Sequence, residues 1–203
     1  MESRARLKNL AFLSTIVVLA FCVSPVYAVE PTAVSVLVVY HSASGNTEKM
    51  AQGVVDGAKA VSGVNVVFRR AAEVAANDLL SCDAVIVGSP VYFGNMSGEI
   101  KTFFDNWLLK FDLWRERKMR NKIGAAFATG GAISNGKEVT LLSILAAMLV
   151  NQMVVVGGGG AFGASATTGP DSPGIDDKEL AEARELGKRV AEVTAVYKRG
   201  SGK

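Results

Sequence analysis

The stretch "VSVLVVYHSASGNTEKM", residues 34–50, sets seven residues of almost unbroken apolar, β-branched character against a loop of small and hydroxylated ones. Such a continuous run is what a strand buried on both faces requires. The loop "SASGNT" carries no large side chain. Beyond it, "TEKMAQGVVDGAKAV" (47–61) places Met50, Val54 and Ala58 at helical spacing. A strand passing through a small-residue loop into a helix is the opening unit of a parallel α/β sheet.

The pattern repeats along the chain. Further apolar runs are "VNVVFR" (64–69), "AVIVGS" (84–89), "IGAAFAT" (123–129) and "MVVVGG" (153–158). Helical segments separate them. "SGEIKTFFDNWLLK" (97–110) puts Ile100, Phe103, Phe104, Trp107 and Leu108 on one stripe. "EVTLLSILAAMLVNQ" (138–152) is apolar nearly all round, as for a helix pressed on a sheet. The last, "DDKELAEARELGKRVAEVTAVYK" (176–198), turns Leu180, Ala183, Leu186, Val190 and Val193 inward, with Asp176 and Asp177 at the end where the helix dipole favours acids. Right-handed crossovers between five such strands predict the order 2-1-3-4-5, with ligands bound beyond the carboxyl ends of strands 1, 3 and 4.

The first residues have a different character. A basic start, "MESRARLKN", an apolar run of 14, "LAFLSTIVVLAFCV", and "SPVYA" follow the order of a secretory signal, with cleavage expected after Val26-Tyr27-Ala28. The apolar run is shorter than the roughly 20 residues that span a bilayer. Residues 1–28 therefore read as a Sec-type signal that exports a 29–203 domain, or, left uncleaved, as an N-terminal anchor that keeps the domain near a membrane. The leader holds Arg4, Arg6, Lys8 and Glu2 of the chain's 22 basic and 19 acidic residues, so the body carries 19 and 18. A body at net +1 with no clustered basic face excludes nucleic acid as the expected partner. Without Cys22 of the leader, Cys82 is the one remaining cysteine, which excludes an internal disulfide and reads as a packing residue.

Small residues let the backbone after the first strand fold into a nest whose N–H groups join those of the helix N-terminus. Ser42, Ser44 and Thr47 add hydroxyls, Asn46 an amide, and Gly45 room for the turn. None of these donors is a cation. The set suits one phosphate held by neutral hydrogen bonds, and lacks both the lysine of a Walker loop and the G-x-G-x-x-G of dinucleotide sites. The bland alternative is a helix capped by Asn46 or Thr47. His41, the only histidine, has no partner pattern of a metal ligand or base and reads as structural.

After the third run comes "SPVYFGNMSGEIKTFFD" (89–105). Pro90 stiffens the turn, Gly94 and Gly98 allow close backbone approach, Val91, Tyr92 and Phe93 offer apolar and aromatic surface, and Asn95 an amide. This segment and "SASGNTE" (42–48) resemble the flavin and phosphate loops of the flavodoxin superfamily, closest to its WrbA-type NAD(P)H:quinone oxidoreductases, over roughly 34–197. The resemblance implies a flavodoxin-like three-layer sandwich that binds FMN. It assigns Ser42, Ser44, Gly45, Asn46 and Thr47 to the phosphate. Pro90, Val91, Tyr92, Phe93, Gly94 and Asn95, with Thr129, Gly130 and Gly131 of "ATGGAISNGKE" (128–138), go to the ring. Ile133 and Asn135 depart from the family's glycine-richer loop. "GGGGAFGASATTGPDSPG" (157–174) resembles its Gly-rich segment at the site mouth, and Trp107 or Trp114 its aromatic wall. The basic "KFDLWRERKMR" (110–120) is a departure and reads as a solvated helix end.

The implied reaction is two-electron reduction of a quinone-like acceptor by NAD(P)H, with flavin N5 carrying the chemistry. No catalytic side chain and no metal are required, and backbone N–H groups near 93–95 and 129–131 would steady charge on the ring. The family further implies a homo-oligomer. The alternatives are an exported flavodoxin-type electron carrier without a nicotinamide site, and a non-catalytic interaction module.

Overall fold

Val34–Tyr40 forms strand β1 in the computed structural model, which describes residues 33–169 and 174–202. The leader, with its signal and anchor readings, and positions 170–173 of the Gly-rich segment lie outside the described residues. After β1 come helix α1 (Asn46–Lys59), β2 (Val64–Arg70), a 3-10 turn at Ala71–Glu73 and α2 (Ala76–Ser81). Next are β3 (Ala84–Tyr92), the two-residue β4 (Asn95–Met96), α3 (Gly98–Leu109) and β5 (Ile123–Gly130). The chain continues through α4 (Lys137–Val150), β6 (Val154–Val155), β7 (Ala164–Thr167) and α5 (Asp177–Gly200).

The sheet runs β2-β1-β3-β5-β6, the order expected from the alternation of strands and helices. Every pair in it is parallel, and β7 extends the same edge along β5. The expected fifth strand, 153–158, is instead two short pieces. Val154 and Val155 pair with Ile123 and Gly124, and Ala164–Thr167 pairs with Phe127–Gly130. Between them the glycine-rich chain leaves the ladder. Side chains there would collide with both neighbours: a methyl on Gly159 would overlap the Glu182 carbonyl of α5, and one on Gly163 the Ala126 carbonyl of β5.

The pleat sorts β1 between two cores, since successive side chains point to opposite faces. Val36 and Val38 join α1 and α5 on one face. Leu37 and Val39 join Leu79 of α2, and α3 and α4, on the other. Gly57 and Gly187 bring α1 and α5 into backbone contact, because a methyl on either would overlap the opposing Arg184 or Val54 carbonyl. Asp176 caps α5, its carboxylate accepting from Glu179 N–H at 2.8 Å while Glu179 accepts from Asp176 N–H at 3.0 Å. Cys82 is buried, and that burial pushes its thiol up to about 11. It is a packing residue, as its place before β3 implied.

Four local expectations are corrected. β2 is an edge strand and only partly buried. Leu108 leaves the α3 stripe and is exposed. α4 packs one face on the sheet through Leu141, Ile144 and Met148, leaving Val139, Leu142, Leu149 and Val150 exposed on the other. Residues 110–121 are a succession of turns rather than a helix end. Leu113 and Met119 anchor them, and Asp112, Arg117 and Asn121 take positive φ.

Candidate functional site

Because all strands of the main sheet are parallel, the loops after β1, β3 and β5 leave from one edge of it. The first begins as His41 N–H donates to Gly88 O at 3.2 Å, which holds the chain against β3. Gly45, in the left-handed region at φ 87°, is the N-cap of α1, so neither Asn46 nor Thr47 caps it. Ser42 Oγ accepts from Gly45 N–H at 3.0 Å and Asn46 Nδ2 donates to Ser44 Oγ at 3.3 Å. Lys49 N–H is bonded to Gly45 O, the first i−4 bond of the helix, so the N–H groups of Asn46, Thr47 and Glu48 precede any intrahelical acceptor. A side chain at Gly45 would meet nothing within 4 Å. The loop thus presents open space over orphan donors at the positive end of a helix, which fits an anionic group.

Thr47 is buried, and its hydroxyl meets that of Thr129 at the end of β5 at 2.7 Å. The contact ties the first loop to the third, and where Thr129 is its donor the Thr47 hydroxyl still has a proton to give.

A network below the loop was not legible from spacing. Tyr40 Oη donates to Glu48 Oε1 at 2.7 Å, and Arg70 Nη2 bonds Glu48 Oε2 at 2.7 Å. Arg70 also reaches Ser42 O at 3.3 Å and lies 5.3 Å from the Tyr40 ring centroid. Burial first, then the Glu48 hydrogen bond, pushes the Tyr40 phenol up to about 12, with Arg70 opposing. Arg70 ends β2, and the register that pairs it with Tyr40 brings its cation to a loop built of neutral donors.

The second loop is a tight hairpin. Tyr92 pairs with Asn95, leaving Phe93 (φ 48°) and Gly94 (φ 79°) as the central residues of a two-residue turn in which both take positive φ. Buried Ser89 braces it, donating to Pro90 O at 2.7 Å and accepting from Ser97 N–H at 2.9 Å. Phe93 stands fully in solvent and Tyr92 is 40% exposed. The hairpin therefore holds Phe93 outward unpacked, while the Tyr92 ring meets the edge of His41 with centroids 6.3 Å apart. Asn95 Oδ1 accepts from Met96 N–H at 2.8 Å, leaving the Nδ2 side of the amide for a ligand. Gly98 simply opens α3 behind the Ser97 N-cap. At that helix start Glu99 is held below the usual carboxylate range by its own backbone N–H, then Ser97, then His41, whose Nε2 lies 3.5 Å away.

The third loop starts from Thr129 and Gly130, in the last turn of the β5 ladder beside Pro90. With the Asn135 amide oriented to satisfy both neighbours, its oxygen accepts from Gly131 N–H at 2.9 Å and its nitrogen donates to Ala132 O at 3.1 Å. In that orientation the Gly131 N–H is bonded within the loop. Ile133 is 68% exposed at the tip. Gly136 presses on the hairpin so closely that a methyl there would lie 2.7 Å from Gly94 Cα. The loop after β7 joins this group, Thr168 N–H donating to Gly130 O at 2.7 Å.

Neither tryptophan stands at this edge. Trp107 is buried against Phe103 and Phe104, and Trp114 lines a recess with Val150, Asn151 and Gln152 at the far end of α4. Among the described residues no group of three or more His, Cys, Asp or Glu could hold a metal, and no helix is long and apolar enough to cross a membrane.

Comparison with known proteins agrees with the fold. Residues 65–168 match the family model described as NADPH-dependent FMN reductase. A relative named NAD(P)H dehydrogenase (quinone), from Archaeoglobus fulgidus, is 34% identical over 192 residues, covering 78% of this chain and 96% of the relative. One of the same name from Geotalea daltonii is 34% identical over 198 residues, with 78% and 95% covered. Among solved structures, a flavodoxin, WrbA-like protein from Agrobacterium tumefaciens superposes with a TM-score of 0.68 at 25% identity, covering 81% of this chain and 99% of that one.

Proposed function

The chain belongs to the NADPH-dependent FMN reductase family as a flavodoxin-like, WrbA-type member, and we propose that it is an FMN-dependent NAD(P)H:quinone oxidoreductase. The observation that carries this reading is the convergence of three loops on one sheet edge: a nest of orphan N–H groups, a rigid hairpin with Tyr92 and Phe93 outward, and the Thr129–Gly131 turn. The nest of Ser42, Ser44, Gly45, Asn46 and Thr47 would hold the phosphate, with Thr47 also fixing the nest to β5. Pro90 to Asn95 and Thr129 to Gly131 would flank the ring. Bound there, FMN supplies two-electron transfer between a nicotinamide donor and a quinone-like acceptor.

What the chain's own residues do is bind, orient and leave one side open. Phe93 and Gly94 sit on a turn whose backbone is fixed by the Tyr92–Asn95 pair, so the chain that carries the aromatic wall is in place before a ligand arrives. Tyr40, Glu48 and Arg70 hold the phosphate loop from below.

The remaining expectations belong to the same proposal. The order of basic, apolar and small-residue regions in 1–28 supports export of the 29–203 domain, or its retention beside a membrane by an uncleaved leader. The exposed Val139, Leu142, Leu149 and Val150 on α4 support a homo-oligomer.

The deciding experiment titrates purified protein with FMN anaerobically and then adds NADPH or NADH. Saturable binding, bleaching by a nicotinamide and recovery on adding a quinone are expected. Binding without bleaching by either nucleotide would remove the nicotinamide step and leave the electron-carrier reading. Absence of binding would overturn the site.

A further inference from the structure

Lys137 is the first residue of α4, and only 5% of it is exposed. Its ammonium donates to Ala132 O at 2.8 Å, Ile133 O at 3.1 Å and Thr167 Oγ1 at 2.8 Å. Three donors thus meet three neutral oxygens. Among the described residues no carboxylate lies within ion-pair distance of Lys137. The carboxylate nearest in the network, Glu179, accepts from the Thr167 and Asp176 N–H groups instead. A buried cation without a counter-charge is costly, and here it also sits at the positive end of a helix, where the dipole favours acids.

Its location is specific. Two of its acceptors belong to the loop that leads from β5 to α4, and the third ends β7 as the register partner of Gly130. The preceding Gly136 abuts Gly94 of the hairpin. The cation therefore ties the third loop, whose Gly136 meets the hairpin, to the end of β7. Because a trans peptide points its C=O and the following N–H in opposite directions, drawing the Ala132 and Ile133 carbonyls to Lys137 turns the Ile133 and Ser134 N–H groups away from it.

We infer that Lys137 is a positioning residue whose missing counter-charge is the reduced flavin: it anchors the 131–136 loop and favours reduced FMN, an anion at neutral pH, over the oxidised ring. The inference rests on the FMN-binding reading above. A cation acting on the phosphate would strengthen binding of both redox forms equally. One acting on the ring changes their ratio.

The test compares full-length wild type with Lys137→Gln, which keeps two N–H donors without charge, and Lys137→Arg, which keeps the charge. Dissociation constants for oxidised FMN and for dithionite-reduced FMN are measured for each, together with the midpoint potential of the bound flavin. Lys137→Gln is expected to hold oxidised FMN nearly as well as wild type and to lose about tenfold in affinity for the reduced form, as removal of one unit charge at partly screened range implies. Its midpoint potential falls, and Lys137→Arg restores the ratio. An equal loss for both forms, or an unchanged ratio in Lys137→Gln, overturns the inference while leaving FMN binding intact. Wild type that binds neither form overturns the cofactor reading and this inference with it. If Lys137→Gln does not fold, Lys137→Met takes its place as the neutral variant: a lowered preference for reduced FMN supports the inference, and a wild-type ratio overturns it.

Discussion

The hydroxyls of Thr47 and Thr129 meet at 2.7 Å in the interior, joining the first turn of α1 to the end of β5 across 82 residues of chain. Removing one leaves the other buried without its partner, and a buried unsatisfied hydroxyl costs about 1–3 kcal/mol. Thr47→Val should lower the urea midpoint by a corresponding amount and weaken FMN binding. Thr47→Val with Thr129→Val together should destabilise less than the sum of the two singles, a non-additivity that a double-mutant cycle reads directly.

Tyr40 makes a pH-dependent contribution whose sign is determined. Its folded pKa, about 12, stands above the ordinary 10.0 because burial and the Glu48 hydrogen bond both disfavour the phenolate. Stability from this group is complete below about pH 10 and is lost as pH rises toward 12. Tyr40→Phe should therefore flatten the alkaline fall in denaturation midpoint. Glu48→Gln should lower the phenol pKa only partway, since burial is the larger cause, as phenolate absorbance against pH will show.

Phe93 is fully exposed on its turn and packs on nothing the chain provides. Phe93→Ala should leave thermal stability within about 0.5 kcal/mol of wild type, as for other surface changes. If the side chain walls the ring, FMN affinity should fall roughly fivefold, in line with the ~1 kcal/mol typical of aromatic pairs. Calorimetry of apoprotein and FMN titration separate the two effects. Unchanged affinity would remove Phe93 from the site.

Gly57 and Gly187 carry the contact between α1 and α5. Gly57→Ala drives a methyl into the Arg184 carbonyl, and backbone cannot rotate aside as a side chain can. A loss of about 1–3 kcal/mol is expected, the range for overpacking, despite alanine's better helix propensity. Equal or raised stability would show that the two helices can separate freely.

Much of the fold could be read directly because it depends on local periodicity. Val34–Tyr40 is a strand by composition, and the alternation with Met50, Val54 and Ala58 demands a helix. The fifth strand lies within "MVVVGG" as its apolar, β-branched character requires, while its shortness is not legible there, because the glycines that follow sit against Glu182 and Ala126 carbonyls from elsewhere in the chain. Trp107 could not be separated from a site aromatic by spacing, since both uses place a large ring at a helix position. Only packing against Phe103 and Phe104 decides.

The sequence by itself determined the strand order, the three loops and the chemical type of their donors, because these are set by residue identity and by the handedness of parallel crossovers. The tertiary structure decided which donors remain available. Thr47 meets Thr129, Arg70 brings a cation to a first loop that reads as neutral, and Lys137 reaches Thr167 at the end of β7. The physical reason is that a hydrogen bond is satisfied by whatever lies nearest in space, and nearness across 28 to 82 residues is fixed by sheet register and packing rather than by spacing along the chain.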